Sequence, residues 1–169
     1  MLKHRGGHTQ IFFCLIMYMK TVPQRYVPKH LSEKDKITQK KGVLKSQKSY
    51  KLGKYVIRNN VKTFKNKPSP HIARAEKLYK TKTIKPSKDL AKKTKCNIKA
   101  LRKIFRKGQG AYYSSGSRPN QTPHSWAYAR LASSISGGKA AGVDYGILEK
   151  YCSKSSKALQ LAKKSMKKY

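Results

Sequence analysis

Charge constrains this chain more than any other feature. Lys and Arg number 41, Asp and Glu only 6, which leaves a formal net charge of +35 on 169 residues. A compact body carrying that charge repels itself, so a negatively charged neighbour must offset it. Nucleic acid, an acidic protein surface or an anionic membrane face would each serve. The cations are 33 Lys and 8 Arg. Lysine is a hydrated point charge, whereas arginine supplies planar bidentate recognition. The balance favours non-specific adhesion over base reading. Hydrophobic residues make up 37% of the chain, below the about 45–50% of ordinary globular domains. One modest core is therefore expected.

The charge is unevenly placed. Residues 1–60 carry a net +12, 61–110 a net +15, 111–149 only +1, and 150–169 a net +7. A nearly neutral block between basic flanks predicts a packed centre with contact surfaces on either side. The one strongly apolar run, Ile11 to Met19, is too short as a helix to cross a bilayer core of about 30 Å. Lys3 and Arg5 precede it as in a signal peptide, but Lys20 follows and no small-residue cleavage site is nearby. It reads as a buried or interfacial strand, or as an extension ahead of a start at Met17 or Met19. Between residues 20 and 68, Pro23 and Pro28 interrupt any helix, and Ser46 to Asn60 alternates Lys with Tyr, Leu, Val and Ile. That alternation predicts an extended segment with one face buried.

Helix signals begin at Ser69-Pro70, a cap followed by proline at the first helical position, with Ile72, Ala75, Leu78 and Tyr79 on one face. A second start lies at Pro86-Ser87, leading through Leu90, Ala91 and Thr94. Residues 87–106 then read as a helix-turn-helix candidate. Ser87 caps a short helix, Cys96 plugs the turn, and Asn97 caps a second helix in which Ala100, Leu101, Ile104 and Phe105 recur at helical spacing. The small Ala91 permits a close crossing. Lys95 stands where such turns often carry glycine. Lys99, Arg102, Lys103 and Arg106 would be exposed on the second helix, for phosphates in a major groove or as the solvated face of a plain hairpin.

Residues 108–122 predict a loop, with Gly108, Gly110 and Gly116, the hydroxyls of Ser114, Ser115 and Ser117, and Arg118. Such a loop either cradles a phosphate or is a tight connection pinned by Tyr112 and Tyr113. It lacks the Gly-Lys-Ser/Thr ending of a nucleotide-binding loop. Thr122-Pro123 opens the best-defined helix, which runs through Trp126, Ala129, Arg130, Ala132 and Ser133 and stops at Gly137-Gly138. Trp126, Leu101, Ile104 and Tyr112 are the expected core anchors. Arg130 is positioned to pair with Asp144 or a loop carbonyl. Asp144 reads as a cap or ion-pair partner ahead of Tyr145, Ile147, Leu148 and Tyr151. The tail places Ala158, Leu159, Ala162 and Met166 on one side and six lysines elsewhere. Lys163 and Lys164 are its candidate contact residues, for nucleic acid, an anionic membrane or a partner, unless the helix packs on its own domain.

The expected fold class is thus mainly α. A small helical domain with a helix-turn-helix-like pair spans 69–152. It is flanked by an apolar extension (1–19), a long extended basic arm (20–68) and a basic amphipathic C-terminal helix (153–169). Cys14, Cys96 and Cys152 are distant and odd in number, without a C-x-x-C pair, and His4, His8, His30, His71 and His124 lack metal-ligand spacing. Neither a zinc site nor a disulfide framework is expected, and the chain reads as one from a reducing compartment. Ser115, His124, Asp144 and Cys152 could in principle do chemistry, but no paired carboxylate, oxyanion motif or metal cluster accompanies them. No enzyme and no cofactor are expected.

The stretch G-A-Y-Y-S-S-G-S-R-P-N-Q-T-P-H-S-W-A-Y-A-R-L-A-S from Gly110, with G-G-K-A-A-G-V-D-Y-G-I-L and the preceding L-A-K-K-T-K-C-N-I-K-A-L-R-K-I, resembles an uncharacterised family of small basic proteins. Its members belong to large nucleocytoplasmic DNA viruses, with shorter relatives in tailed phages. The resemblance covers roughly Met19 to Tyr151 and is most specific over Gly110–Ser133. It brings no catalytic residues. It implies a viral setting and a virion component, a minor capsid protein touching major and minor capsid proteins, and viral DNA or an anionic inner membrane face, from the inner side of the shell. The alternative is a DNA-binding or packaging protein using the helix-turn-helix-like pair.

Overall fold

The computed structural model describes residues 22–168. The apolar run at residues 11–19 lies outside the described residues. Among the described residues the protein is helical, without a β-strand. A 3₁₀ turn at Gln24–Tyr26 leads to α1 (Glu33–Lys51), α2 (Pro70–Tyr79), α3 (Lys88–Thr94), α4 (Ile98–Ser114), α5 (Pro123–Ile135), α6 (Lys139–Val143), α7 (Tyr145–Tyr151) and α8 (Lys157–Lys168). The mainly α class holds. None of these helices is long and apolar enough to cross a membrane.

Local chemistry accounts for most helix starts. Ser87 Oγ accepts from the Leu90 amide, and Asn97 Oδ1 from the Lys99 amide. Thr122 and Ser125 form a reciprocal capping box ahead of Pro123. Leu90, Leu101, Ile104, Leu131, Ile135 and Leu148 are buried at one core, together with six fully buried alanines, Ala75 through Ala162. Side chains that small let short helices pack with close axes. Tyr112 is fully buried as well. α4 packs extensively on α5, while α8 lies against α6, α7 and α5. The basic tail therefore docks on its own domain. Its buried side is Ala158, Ala162 and Ser165. Met166, expected on that side, is 48% exposed.

Four further expectations are corrected. Residues 33–51, expected as extended arm, form the longest helix among the described residues. Its buried positions are Gln39, Val43 and Ser46, a helical spacing of one face whose members are mostly polar and so give no apolar stripe. Ser32 Oγ accepts from the Asp35 amide at its start. The alternating apolar residues beyond it do not bury a face: Leu52, Tyr55 and Ile57 are 65–70% exposed.

Residues 108–114, expected as loop, continue α4. Gly108 is where α4 crosses α5, since an added Cβ would come within 2.7 Å of the Ala127 Cα. The chain turns only after Ser114, at Gly116, whose φ of +104° favours glycine. Trp126 is half-buried rather than central and meets Tyr26 edge-on at 6.1 Å. Leu131 and Ile135, further along the same helix, fill the core instead.

Cys96 and Cys152 form a disulfide, against the expectation of reduced thiols. The pairing follows from topology. The turn after α3 and the end of α7 meet as an isolated antiparallel bridge. Asn97 N donates to Tyr151 O at 2.7 Å and Ser153 N to Lys95 O at 2.9 Å, with the two cysteines opposite one another between them. A sequence separation of 56 residues hid the pair.

Candidate polyanion interface

The helix-turn-helix-like pair forms as its caps foretell. α3 ends on Lys95, which takes the left-handed conformation (φ 53°, ψ 39°) in the place that glycine often fills. Cys96 is buried below the turn. Lys99, Arg102, Lys103 and Arg106 are all exposed on α4, spaced so that they share one side. They are not equivalent. Lys103 Nζ donates to Tyr151 Oη at 3.1 Å and lies 4.9 Å from that ring's centre. This hydrogen bond holds the Tyr151 hydroxyl below its ordinary pKa, with the positive charge of Lys103, Lys150 and Lys99 adding to it. The end of α7 thus borders the α4 face. Arg106, a turn further along α4, lines a cavity with Tyr50, Tyr55 and Tyr113. Arg118, beyond α4, and Lys163 and Lys164, on α8, are exposed but on separate elements. The predicted contact residues are therefore all at the surface, yet only the α4 set forms one patch.

Few anions compete for these cations. Glu33 pairs with Lys36 at 2.6 Å, and Asp89 with Lys93 at 3.1 Å. Asp35 Oδ2 accepts from the amide and hydroxyl of Thr63. Glu149 accepts from the Tyr145 hydroxyl at 2.6 Å. Asp144 is fully buried: Arg130 grips it through Nε at 3.0 Å and Nη2 at 2.7 Å, Ser134 donates at 2.7 Å, and Lys107 sits at 2.9 Å. Burial alone would raise its pKa. The donors from Arg130, Lys107 and Ser134 outweigh that and hold it below the usual carboxylate range. Arg130 pairs with Asp144 rather than a loop carbonyl. Five of the six carboxylates thus have partners within the chain, only Asp144 among them buried, while residues 22–168 carry 38 Lys and Arg.

The loop hydroxyls are also committed. Ser117 is buried, accepts from Arg58 at 2.6 Å and donates to Arg118 O at 2.8 Å. Ser114 and Ser115 pair with each other. This is the tight structural connection rather than a phosphate cradle. Among the residues weighed for chemistry, Asp144 is bound to Arg130 and Cys152 to Cys96. His124 Nε2 sits 3.5 Å from the Gln109 amide nitrogen, and Ser115 is tied to Ser114. They form no nucleophile–base set. Among the described residues no three His, Cys, Asp or Glu side chains cluster as metal ligands.

Two features escape pattern reading. Among the described residues Arg58 has no carboxylate partner. Its guanidinium lies 3.6 Å from the Tyr112 ring centre and donates to Tyr112 O at 2.9 Å and to Ser46 and Ser117 hydroxyls. Burial lowers its pKa. It clamps residues 53–60 onto α1 and α4. Beside it, Tyr50, Tyr55 and Tyr113 converge from three segments. The interleaving of Lys with Tyr over residues 50–55 was the available signal. It reads as strand alternation unless α1 is known to end at Lys51.

No curated protein and no solved structure matches the chain. A family model described as a family of unknown function (DUF5824) matches residues 23–146, from the 3₁₀ turn into the start of α7. The matched span takes in α1, the helix pair and the Asp144 ion pair, and on that match the chain belongs to the DUF5824 family.

Proposed function

We propose that the protein is a structural component of a virus particle, a minor capsid protein of a large DNA virus that holds acidic capsid surfaces together through a folded basic domain. One observation supports this reading above the rest. A core-bearing helical body keeps 38 cations against 6 anions over residues 22–168, and its carboxylates are mostly consumed internally. A charge of that size destabilises a compact body through self-repulsion, and a neighbouring polyanion relieves it. Its partners are the major capsid protein and other minor capsid proteins, on the inner side of the shell, where viral DNA or an anionic membrane face is within reach.

The test is fractionation. The protein should remain with capsid shells at fixed stoichiometry after the genome is released. Loss together with the genome sinks the capsid reading.

A second reading, DNA binding or packaging, is supported by the capped α3–α4 pair with Lys99, Arg102 and Arg106 exposed on one helix. Duplex affinity should then fall with salt at a slope of about −0.9 per phosphate contacted. The double variant Lys99→Gln/Arg102→Gln should flatten that slope by about two contacts. An unchanged slope removes α4 from the interface.

A further inference from the structure

We propose that the tyrosine-walled cavity between α1 and α4 is a stacking site for an unpaired nucleobase of single-stranded nucleic acid. The cavity is about 300 Å³, at the lower end for ligand clefts. It is lined by Tyr50, Tyr55, Arg106, Gln109, Gly110 and Tyr113. Tyr50 and Tyr113 are nearly parallel, 7° apart with centres 6.0 Å apart. Tyr55 stands across both, at 5.8 Å and 5.1 Å.

Core packing does not explain this arrangement. Tyr55 is 70% exposed, so it buries little surface and leaves a ring face to solvent. Gly110 keeps one wall flat: a Cβ there would already meet Tyr50 Oη at 3.4 Å.

The rest of the lining selects the occupant. Among the described residues no carboxylate lines the cavity. Arg106 offers a guanidinium that can take a phosphate or lie on a ring. The Gln109 amide carries both donor and acceptor for a base edge. Exposed Lys51 and Lys54 flank Tyr55 in sequence and extend the positive rim. A flat aromatic occupant with a negative chain attached satisfies all of these at once. In a duplex both faces of a base are already stacked, so only a splayed base can enter; single strands are bound by such aromatic platforms within basic grooves. An acidic protein segment would use the lysines but leave the rings idle. The site stands apart from the capsid reading, and either can fail alone.

Anisotropy of a fluorescein-labelled oligothymidylate of about 12 nucleotides, titrated with the full chain, tests this. A duplex of the same length and inorganic polyphosphate serve as comparisons. Tyr55→Ala should weaken single-strand binding about tenfold while leaving duplex binding, polyphosphate binding and the salt slope unchanged. Tyr55→Phe, which keeps the ring, should bind as the unaltered chain does. Gly110→Val, which narrows the cavity, should act like Tyr55→Ala. Arg106→Gln should weaken the single strand and also flatten its salt slope, by about 0.7 for one phosphate. The inference is overturned if Tyr55→Ala and Gly110→Val leave the oligothymidylate unaffected or weaken all three polyanions equally. It is equally overturned if the unaltered chain does not bind the single strand at low salt. Shell copurification of Tyr55→Ala reports on the capsid reading independently.

Discussion

Asp144 shows what one residue can carry in a chain with so few acids. It is fully buried, and every strong donor around it comes from a different place: α4, and two positions of α5. Removing the carboxylate would strand Arg130, which is itself only 17% exposed. Asp144→Ala should therefore cost about 3–5 kcal/mol, measured by urea unfolding. The same group sets an acid limit. Its folded pKa lies below the unfolded one, so its stabilising effect is complete above about pH 4 and is lost as pH falls through the folded value. Unfolding free energy should drop below about pH 4 in the unaltered chain, and this drop should be blunted in Asp144→Ala. Glycine positions make a second pair of residue-scale tests. Gly108→Ala gains up to about 1 kcal/mol of helix propensity, but its Cβ would press on the Ala127 backbone at 2.7 Å. Overpacking of that kind costs about 1–3 kcal/mol, so a net loss is expected. Gly146, with nothing within 4 Å of an added Cβ, should instead gain by up to about 1 kcal/mol on substitution with Ala. Thermal unfolding of the two variants should move in opposite directions.

Elements in this fold are joined by few but specific clasps. α1 is nearly devoid of apolar burial beyond Val43, yet it is held at several points. Gln39 Nε2 donates to Tyr26 O and Ser117 O, and Ser46 meets Arg58. Asp35 closes the far end onto Thr63. The turn after α3 is clasped to the end of α7 by the disulfide and two backbone hydrogen bonds. Ser156 Oγ adds a bond to Thr94 O at 2.6 Å, tying in the start of α8. A link closing 56 residues is worth about 4 kcal/mol through the unfolded state. The double variant Cys96→Ser/Cys152→Ser should lose about that much in urea unfolding, and added reductant should destabilise the unaltered chain but not the variant. Equal stability of both forms under reductant and oxidant would mean that the hydrogen-bonded bridge alone holds the clasp.

For the molecule as a whole, self-repulsion outweighs internal attraction. The surface ion pairs, Lys36–Glu33 and Lys93–Asp89, are exposed and of small worth. The excess of cations is repulsive across the entire surface. At about 0.1 M salt the screening length shrinks to about 10 Å. The melting temperature should therefore rise as salt is added from low ionic strength, and rise further with a polyanion such as polyphosphate. A melting temperature that falls with salt would mean that attractive surface pairs dominate after all.

Much of this was legible along the chain. The helix starts at Ser87, Asn97 and Thr122 depend on a cap and its next few neighbours, the one at Ser69 on the proline that follows it, and Leu101 and Ile104 on helical spacing; such signals lie within one turn. The net charge is a property of composition alone. Tertiary structure decided the rest, because the causes are distant in sequence. α1 buries Gln39 and Ser46, and those side chains are tolerable inside only because backbone carbonyls and Arg58 from elsewhere satisfy them. Residues 108–114 remain helical because α5 offers a surface on which glycine packs tightly. Cys96 and Cys152 pair because two helix ends meet across 56 residues. Tyr50, Tyr55 and Tyr113 form a cavity because α1 and α4 lie side by side, and no local pattern encodes that adjacency.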